Sequence, residues 1–196
     1  MKRLFDIFFS LFGLLLCFPL FVILAILIPL EDGGRVFFSQ RRVGYLEKPF
    51  FILKFRTMGE DVEKYGQLTV GSKDHRITKI VFWLRKFKID EIPQLINVLK
   101  GEMSIVGPRP EVEKYVSLYD DFQRKIFSVR PGITDNASIR FRNENELLAN
   151  KENPEDYYIS EIMPEKLRLN LEYIKKISLK KDVEIVIKTI IQLVRK

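Results

Sequence analysis

Cysteine and histidine are almost absent from this chain of 196 residues, which contains one of each. The single cysteine, Cys17, excludes a disulfide framework and a cysteine-based metal site, and this fits a reducing compartment. The single histidine, His75, lies in a polar stretch, where we expect a surface residue rather than a general base. Internal repeats and low-complexity segments are also missing.

Charge is missing from one long stretch, because no charged residue occurs from Ile7 to Leu30. As a helix, this run would be about 36 Å long, enough to cross the hydrocarbon core of a bilayer. It is too long for the core of a signal peptide, and no small-residue cleavage site follows it. We therefore predict a membrane anchor that is retained.

The topology of this anchor is left open by its residues. Pro19 lies near its middle and removes one backbone hydrogen bond, which favours a break. Basic residues flank both ends, and the positive-inside rule then places both ends in the cytoplasm. A helix that is broken at Pro19 and returns to the same face satisfies both observations. A kinked single span is the alternative, since prolines are common in membrane helices.

The whole chain is basic, with 33 Lys and Arg against 26 Asp and Glu and a formal net charge of +7. This balance indicates an anionic partner such as phosphate, nucleic acid or acidic lipid, without choosing among them. The length suits one domain.

Hydrophobic periodicity predicts an α+β fold that is mostly helical. Short aromatic-rich stretches at 35–40 and 50–56 indicate a hairpin. Helices are predicted over 78–87, 91–99, 164–174 and 182–194, and Gly101 is expected to end the second of them. The last helix has an apolar face and basic ends, which suits an interfacial amphipathic helix on a membrane surface. An ordinary core helix is the alternative.

The candidate chemistry lies around Asp90 and Glu91, two adjacent carboxylates before a helix with Pro93 in its first turn. Asp90 could be only a helix N-cap, since aspartate is favoured there. Two arginines nearby, Arg85 and Arg109, favour a catalytic role over a simple N-cap, because guanidinium groups match phosphate oxygens. Arg109 lies in a Gly-Pro-Arg-Pro turn. Carboxylates among arginines can hold a divalent cation with a diphosphate. A carboxylate can also attack phosphorus and form a covalent intermediate.

The sequence resembles the bacterial sugar transferases, the small monotopic phosphoglycosyl transferases. The stretch from Asp90 to Pro110, DEIPQLINVLKGEMSIVGPRP, closely matches the signature of this family. Further matching pieces follow in family order over nearly the whole chain, and long ordered matches are far more specific than one short motif. These pieces are KRLFD at 2–6, FSQRRVG at 38–44, KFRTM at 54–58, DHRIT at 74–78 and RPGIT at 130–134.

The resemblance implies a catalytic pair at Asp90 and Glu91. Asp90 is the implied nucleophile, which takes the phosphosugar and releases a nucleoside monophosphate before a polyprenyl phosphate attacks. Mg²⁺ is implied as cofactor, with Glu91 as its main ligand and Asp90 as the second. Arg85 and Arg109 match family arginines around the phosphates.

Two further positions are carried over as substrate-binding residues, Asp182 in the C-terminal helical region and Arg130 in its family motif. The family's first helix is re-entrant and broken at a proline that matches Pro19. The expected organisation is therefore a membrane-inserted helix-break-helix at 1–32 and a cytoplasmic catalytic domain at 33–196. The implied partners are a nucleotide-sugar, a UDP-sugar above all, polyprenyl (undecaprenyl) phosphate and membrane lipid at the inner face of the bacterial cytoplasmic membrane. Nucleic acid is not expected, and a homo-oligomer is left open.

The chain departs from the family at two places. Glu102 stands where relatives usually have aspartate, which keeps the charge. The stretch Asp135-Asn-Ala-Ser138 stands where many relatives have Gly-Trp-Ala-Gln, and the divergent segment continues to Glu144. This segment is a candidate for selecting the sugar. A non-catalytic adaptor that binds acidic lipids is the competing hypothesis, but it does not need a carboxylate pair beside two arginines. A nucleic-acid binder rests on charge alone.

Overall fold

The computed structural model describes residues 1–32, 34–57, 84–85 and 87–194, and it confirms the predicted α+β, mostly helical fold. The predicted helix over 78–87 falls largely outside these residues, as do His75 and the polar stretch at 59–73. Of that predicted helix, residues 84–85 are described and are helical.

The first helix, α1, covers Lys2–Asp32 and is the one helix in the described ranges that is long and apolar enough to cross a membrane. It continues through Pro19 and Pro29, so the predicted division into two helices at Pro19 is not present. A proline forfeits one hydrogen bond of the ladder, and the turns on either side can keep the helix intact. Whether α1 re-enters or spans a membrane stays a prediction.

The beginning of α1 is fastened to the globular part of the chain by polar contacts. The guanidinium of Arg3 donates to the carbonyl oxygens of Val98 and Leu99, at 2.6 and 2.9 Å. Asp6 is buried and accepts a hydrogen bond from the backbone N–H of Ile105 at 3.0 Å. Buried and charged contacts of this kind fix the rotation of α1 about its axis.

The second half of α1 packs through apolar side chains. Leu24 and Ile28 are buried in a cluster with Phe55 and Leu84. The opposite side of α1 carries large apolar residues that are exposed, and these include Leu4, Phe8, Phe12, Leu15, Leu16, Phe18, Ile23, Ile26 and Leu30. An exposed apolar surface of this extent is typical of a membrane or protein contact.

The predicted hairpin is confirmed. Strand β1, Phe37–Val43, pairs antiparallel with β2, Pro49–Phe55, in a register that runs from Phe37 opposite Phe55 to Val43 opposite Pro49. Phe50 and Ile52 are buried on one face of β2, and Lys54 follows on the same face, as the two-residue period requires.

Helix α2, Gln94–Lys100, begins three residues later than predicted, because a 3₁₀ turn occupies Ile89–Glu91. Gly101 ends it as expected, with φ +85°, a left-handed conformation that glycine adopts without steric cost.

Asn97 connects α2 to the edge of β2 in the way that a neighbouring strand would. Its side chain is fully buried, and its Oδ1 accepts from Leu53 N at 3.0 Å. Its Nδ2 donates to the carbonyl oxygen of Phe51 at 2.8 Å and to Glu102 Oε2 at 2.7 Å. The family departure at Glu102 thus has a structural role, since its carboxylate accepts this hydrogen bond.

We expect Asn97→Leu to lower the free energy of unfolding by about 2–4 kcal/mol, because it leaves backbone groups of β2 and a carboxylate without partners. Denaturant unfolding of the full chain in detergent measures this change. Asn145→Leu, at an exposed asparagine, is the matched control and should be nearly neutral. A loss equal to that of the control would contradict the structural role of Asn97.

A short parallel pair, missed by the sequence analysis, joins β3, Ser104–Val106, to β4, Gly132–Thr134. The two strands come so close that a Cβ on Gly132 would lie 2.1 Å from Gly107 N, so glycine is needed there. This pair holds the Gly-Pro-Arg-Pro turn at 107–110 beside Asp135, which precedes the helix that begins at Asn136.

Short elements then lead to two longer helices. They are α3 (Glu113–Val116), a 3₁₀ turn (Gln123–Ser128), α4 (Asn136–Arg140), α5 (Glu144–Ala149), α6 (Pro154–Tyr157), a π-turn (Tyr158–Ile162), α7 (Met163–Lys175) and α8 (Leu179–Val194). The main core lies between α3, the π-turn and α7, where Tyr115, Tyr158 and Leu167 are buried.

Helix α8 divides its apolar residues between two environments. Ile185 is fully buried against β3 and α7, so part of the helix belongs to the core. Val183, Ile187, Ile190 and Val194 are exposed. The core-helix alternative therefore describes the side that carries Ile185, and the amphipathic-helix alternative describes the exposed side. Contact of that exposed side with a membrane stays a prediction.

Candidate active site

Asp90 and Glu91 lie in the 3₁₀ turn before α2, and each is 6% exposed. Lys88 precedes them in a left-handed conformation with φ 57°, which a non-glycine residue adopts at some energetic cost. The alternative in which Asp90 is a helix N-cap is wrong. Helix α2 begins at Gln94 without a side-chain cap, and the buried Asp90 Oδ1 has no hydrogen-bond partner in the part of the chain that the structure describes.

Glu91 is held by two cations from distant parts of the chain. Arg109 Nη2 and Nη1 lie 2.5 and 3.3 Å from its two carboxylate oxygens. Lys54 Nζ lies 2.9 Å from Oε1. The carboxylate is therefore the centre of a charge cluster formed by β2, the 3₁₀ turn and the turn after β3.

The two carboxylates differ in their electrostatic environment. Burial and the charge of Glu91 raise the pKa of Asp90, although Lys54 and Arg85 oppose this shift. Burial alone would raise the pKa of Glu91 as well, but Arg109 and Lys54 hold it well below its usual range. Burial lowers the pKa of Lys54, and the Glu91 carboxylate opposes that change. Neighbouring carboxylates with opposite shifts are common at catalytic sites.

Arg109 is positioned through its backbone as well as its side chain. Its N–H donates to Asp135 Oδ2 at 2.8 Å, and Asp135 Oδ1 accepts from Ser138 N at 2.5 Å as the N-cap of α4. The side chain bridges Glu91 while 35% of it stays exposed. The guanidinium of Arg109 therefore bonds to the Glu91 carboxylate and can still bind a ligand on its exposed side.

Arg85 contacts the rim of the same site. Its Nε lies 3.3 Å from Thr57 Oγ1, and its charge favours the ionised form of Asp90. The structure thus brings together Asp90, Glu91, Arg85 and Arg109, the four residues predicted from the central stretch.

The other two predicted site residues make their contacts elsewhere. Asp182 is fully buried, and its Oδ2 and Oδ1 lie 2.6 Å from Lys2 Nζ and 2.5 Å from the Tyr173 hydroxyl. Arg130 is exposed and donates from Nε to the carbonyl oxygen of Gly101 at 2.7 Å. These contacts stabilise the fold, and a role for either residue in substrate binding stays a prediction.

Lys54 and Asp135 are the site residues whose roles were missed. Lys54 could have been found from its position, because it follows Phe50 and Ile52 on the inward face of β2, where a charge needs a partner. Asp135 carried no such signal, since its partner Arg109 is brought near by the β3–β4 pair.

A divalent cation would find few free oxygens in this cluster. In the described ranges, no group of three or more His, Cys, Asp and Glu side chains lies together. Asp90 Oδ1 has no partner, whereas both oxygens of Glu91 are engaged by Arg109 and Lys54. This donor set fits Mg²⁺ that is held by one or two carboxylates and completed by substrate phosphates.

We expect Arg109→Lys to lower kcat/KM at least about tenfold, roughly 1.4 kcal/mol, and to melt within a few degrees of the wild type. Lysine keeps the charge beside Glu91 but loses the two-pronged geometry that suits carboxylate and phosphate. Steady-state kinetics and a thermal melt measure the two effects, with Arg168→Lys on the exposed side of α7 as control. A variant that melts early but turns over normally when folded would assign Arg109 a purely structural role.

Comparisons with known proteins place the whole chain in one family. The profile described as bacterial sugar transferase matches residues 1–196. A relative in Bacillus subtilis (strain 168), named putative undecaprenyl-phosphate N-acetylgalactosaminyl 1-phosphate transferase, is 44% identical over 133 residues, or 68% of this chain and 70% of its own length.

Two further relatives cover more of this chain. The exopolysaccharide production protein ExoY of Rhizobium meliloti (strain 1021) is 39% identical over 158 residues, 73% of this chain and 70% of its own length. The UDP-glucose:undecaprenyl-phosphate glucose-1-phosphate transferase of Caulobacter vibrioides is 35% identical over 196 residues, 96% of this chain and 68% of its own. The resemblance inferred from the sequence motifs is thus confirmed.

Proposed function

Because this chain belongs to the bacterial sugar transferase family, we propose that it transfers a sugar-1-phosphate from a UDP-sugar to undecaprenyl phosphate through a covalent intermediate on Asp90. The names of its relatives support the substrates, since they include undecaprenyl-phosphate sugar transferases and exopolysaccharide production proteins. The observation that carries the proposal is the buried Asp90 carboxylate, which has one unpartnered oxygen beside a cluster of cations.

The reaction balances as two displacements at one phosphorus atom. A carboxylate oxygen of Asp90 attacks the phosphorus that bears the sugar, the bond from that phosphorus to the UMP oxygen breaks, and UMP leaves. An oxygen of the lipid phosphate then attacks the same phosphorus, and the bond to Asp90 breaks. The carboxylate is regenerated, and the product is a polyprenyl-diphosphate sugar.

The cations of the cluster hold the charge that these steps require. Arg109 and Arg85 would bind the diphosphate oxygens through their guanidinium groups, and their contacts with Glu91 and Thr57 at this cluster support that assignment. Lys54 and Arg109 keep Glu91 ionised beside Asp90. Mg²⁺ would be held by the free oxygen of Asp90 and by substrate phosphate oxygens, and by Glu91 where Arg109 or Lys54 releases an oxygen. It would neutralise the diphosphate and favour departure of UMP.

A screen of UDP-sugars with undecaprenyl phosphate, which scores UMP release, tests the proposal. We expect release with at least one UDP-sugar, its loss with excess chelator and its return with Mg²⁺. Trapping should find the phosphosugar on Asp90. Full activity in excess chelator would contradict the Mg²⁺ requirement. A protein that binds acidic vesicles but releases no UMP with any UDP-sugar would favour the lipid adaptor instead.

We also propose that α1 enters and leaves the membrane by the cytoplasmic face. Contacts at its two ends support this, because Arg3 bonds to α2 and Ile28 packs near Phe55, so both ends contact the same globular part. The exposed apolar side of α1 would face the lipid.

Cysteine labelling in a Cys17→Ser background tests this topology. A cysteine placed before Met1 and Lys48→Cys should be modified from the same side, together with Asp121→Cys as the reference for the globular part. Labelling of the first position from the opposite side would establish a span. Pro19→Ala should move the population toward spanning, since it restores the missing hydrogen bond.

A further inference from the structure

A small internal cavity of about 30 Å³ lies beside the active-site cluster. Its polar lining residues include Arg109, Asp135 and Ser138 of α4, together with Lys166 and Asn170 of α7. Lys166 and Asn170 are four residues apart on one helix, so they present neighbouring side chains to the same space. A volume of this size admits about one water molecule or one small polar group.

One atom in this cavity stands out by its lack of a partner. Asn170 is 5% exposed. All residues that line the cavity lie within the described ranges, and among their buried side-chain polar atoms only Asn170 Oδ1 lacks a hydrogen bond. The charged neighbours are already engaged, since Asp135 accepts from two backbone N–H groups and Lys166 pairs with Glu144. A buried acceptor that stays unpaired is unfavourable, so a ligand group that donates a hydrogen bond to it would be bound preferentially.

The position of the cavity connects it to the donor substrate. Arg109 lines both the cavity and the Glu91 cluster, where the proposed function places the diphosphate. In that donor the sugar ring is joined to the phosphorus through a single oxygen, so the ring must lie close to Arg109 when the diphosphate binds there. The divergent segment from Asp135 onward forms one wall of this space.

We propose that Asn170 determines sugar specificity by accepting a hydrogen bond from one ring substituent of the donor, a hydroxyl or an amide N–H. This inference rests on the proposed function, because the ligand is the sugar of the nucleotide-sugar. The cavity is too small for a pyranose ring, so a single donor group enters it. A site built to pair with such a group discriminates strongly against an analogue that lacks it.

The experiment compares the preferred UDP-sugar of the full-length enzyme with analogues in which one hydroxyl or amide of the sugar is replaced by hydrogen. In the wild type, one analogue should lose at least about tenfold in kcat/KM, while the others lose less. In Asn170→Leu, which has a similar shape and no polar atom, that penalty should fall to about twofold or less. Asn145→Leu, at an exposed position of α5, should keep the wild-type penalty.

Stability distinguishes this role from a structural one. Because Oδ1 has no hydrogen-bond partner among the described residues, Asn170→Leu should melt at or above the temperature of the wild type. A structural asparagine would instead melt earlier when replaced. If the leucine variant does not fold, Asn170→Ala serves for the same comparison.

Two results with a wild type that releases UMP would overturn the proposal. The wild type could show no penalty with any analogue, or Asn170→Leu could keep the full penalty, as expected if Asn170 binds only a buried water. A leucine variant that melts early and keeps the penalty would assign the residue to the core. If the wild type releases no UMP from any UDP-sugar, the proposed function is rejected and this inference with it. If the wild type releases UMP but the analogues give one of the results above, only the role of Asn170 is rejected.

Discussion

Asp90→Asn should lower kcat by roughly three to five powers of ten, because it removes the nucleophile and with it the covalent route. The fold should be retained. Burial raises the pKa of the Asp90 carboxyl, so a neutral amide of the same shape relieves a desolvated charge, and the variant should melt at or slightly above the wild-type temperature. UMP release and a thermal melt measure the two effects. Near-normal turnover would reject Asp90 as the nucleophile.

Asp121→Asn is the matched control, since it makes the same change at an exposed aspartate. The pH dependence offers a second check on the wild type. A nucleophilic carboxylate must be ionised, so activity should fall as the pH drops through a pKa that lies above the value of about 3.9 for a free aspartate. An acid limb at or below that value would contradict the raised pKa.

Glu91→Gln should have the largest effect on stability among the site residues, a loss of about 2–4 kcal/mol. It leaves Lys54 and Arg109 partly buried with a neutral partner, and removing one member of a buried ion pair is costly. This expected loss of unfolding free energy is smaller than that for a fully buried ion pair, because water screens the exposed part of the Arg109 side chain. Denaturant unfolding measures the loss, and Glu113→Gln, which is exposed, should be nearly neutral.

The sign of the pH dependence follows from the lowered pKa of Glu91 in the folded state. The stabilising contribution of this carboxylate is present above the unfolded-state pKa of about 4.3 and is lost as the pH falls toward the folded-state value. The difference in unfolding free energy between the wild type and Glu91→Gln should therefore shrink below about pH 4. A difference that stays constant into that range would show that the ion pairs do not carry the effect.

Local patterns were enough to predict the parts of this fold that depend on near neighbours in sequence. The hairpin of β1 and β2, the glycine end of α2 at Gly101 and the amphipathic helix α8 all follow from periodicity and turn chemistry. The continuity of α1 through Pro19 did not follow, because the rule for proline gives the cost of a lost hydrogen bond and not whether the neighbouring turns hold the helix.

The partners of the site residues depended on contacts between distant parts of the chain. Asp90 had the right residue type and position for an N-cap, yet it lies inside a 3₁₀ turn that ends before α2 begins at Gln94. Its Oδ1 has no hydrogen-bond partner among the described residues. Arg109 meets Asp135 only because β3 and β4 pair in parallel through a glycine contact. No local pattern encodes such a pairing, whereas the family motifs identified the carboxylate pair without its geometry.

The contact of Arg3 with the end of α2 has a consequence for how the enzyme meets its lipid. Arg3 binds the last carbonyl groups of a helix whose other end adjoins Asp90 and Glu91, and α2 is only about 10 Å long. With α1 inserted in a bilayer as proposed, its depth would therefore also set the height of the carboxylates above the headgroups. The lipid phosphate of the proposed reaction would then reach phosphorus without its chain leaving the membrane, and bilayer thickness would become a variable of the reaction rate.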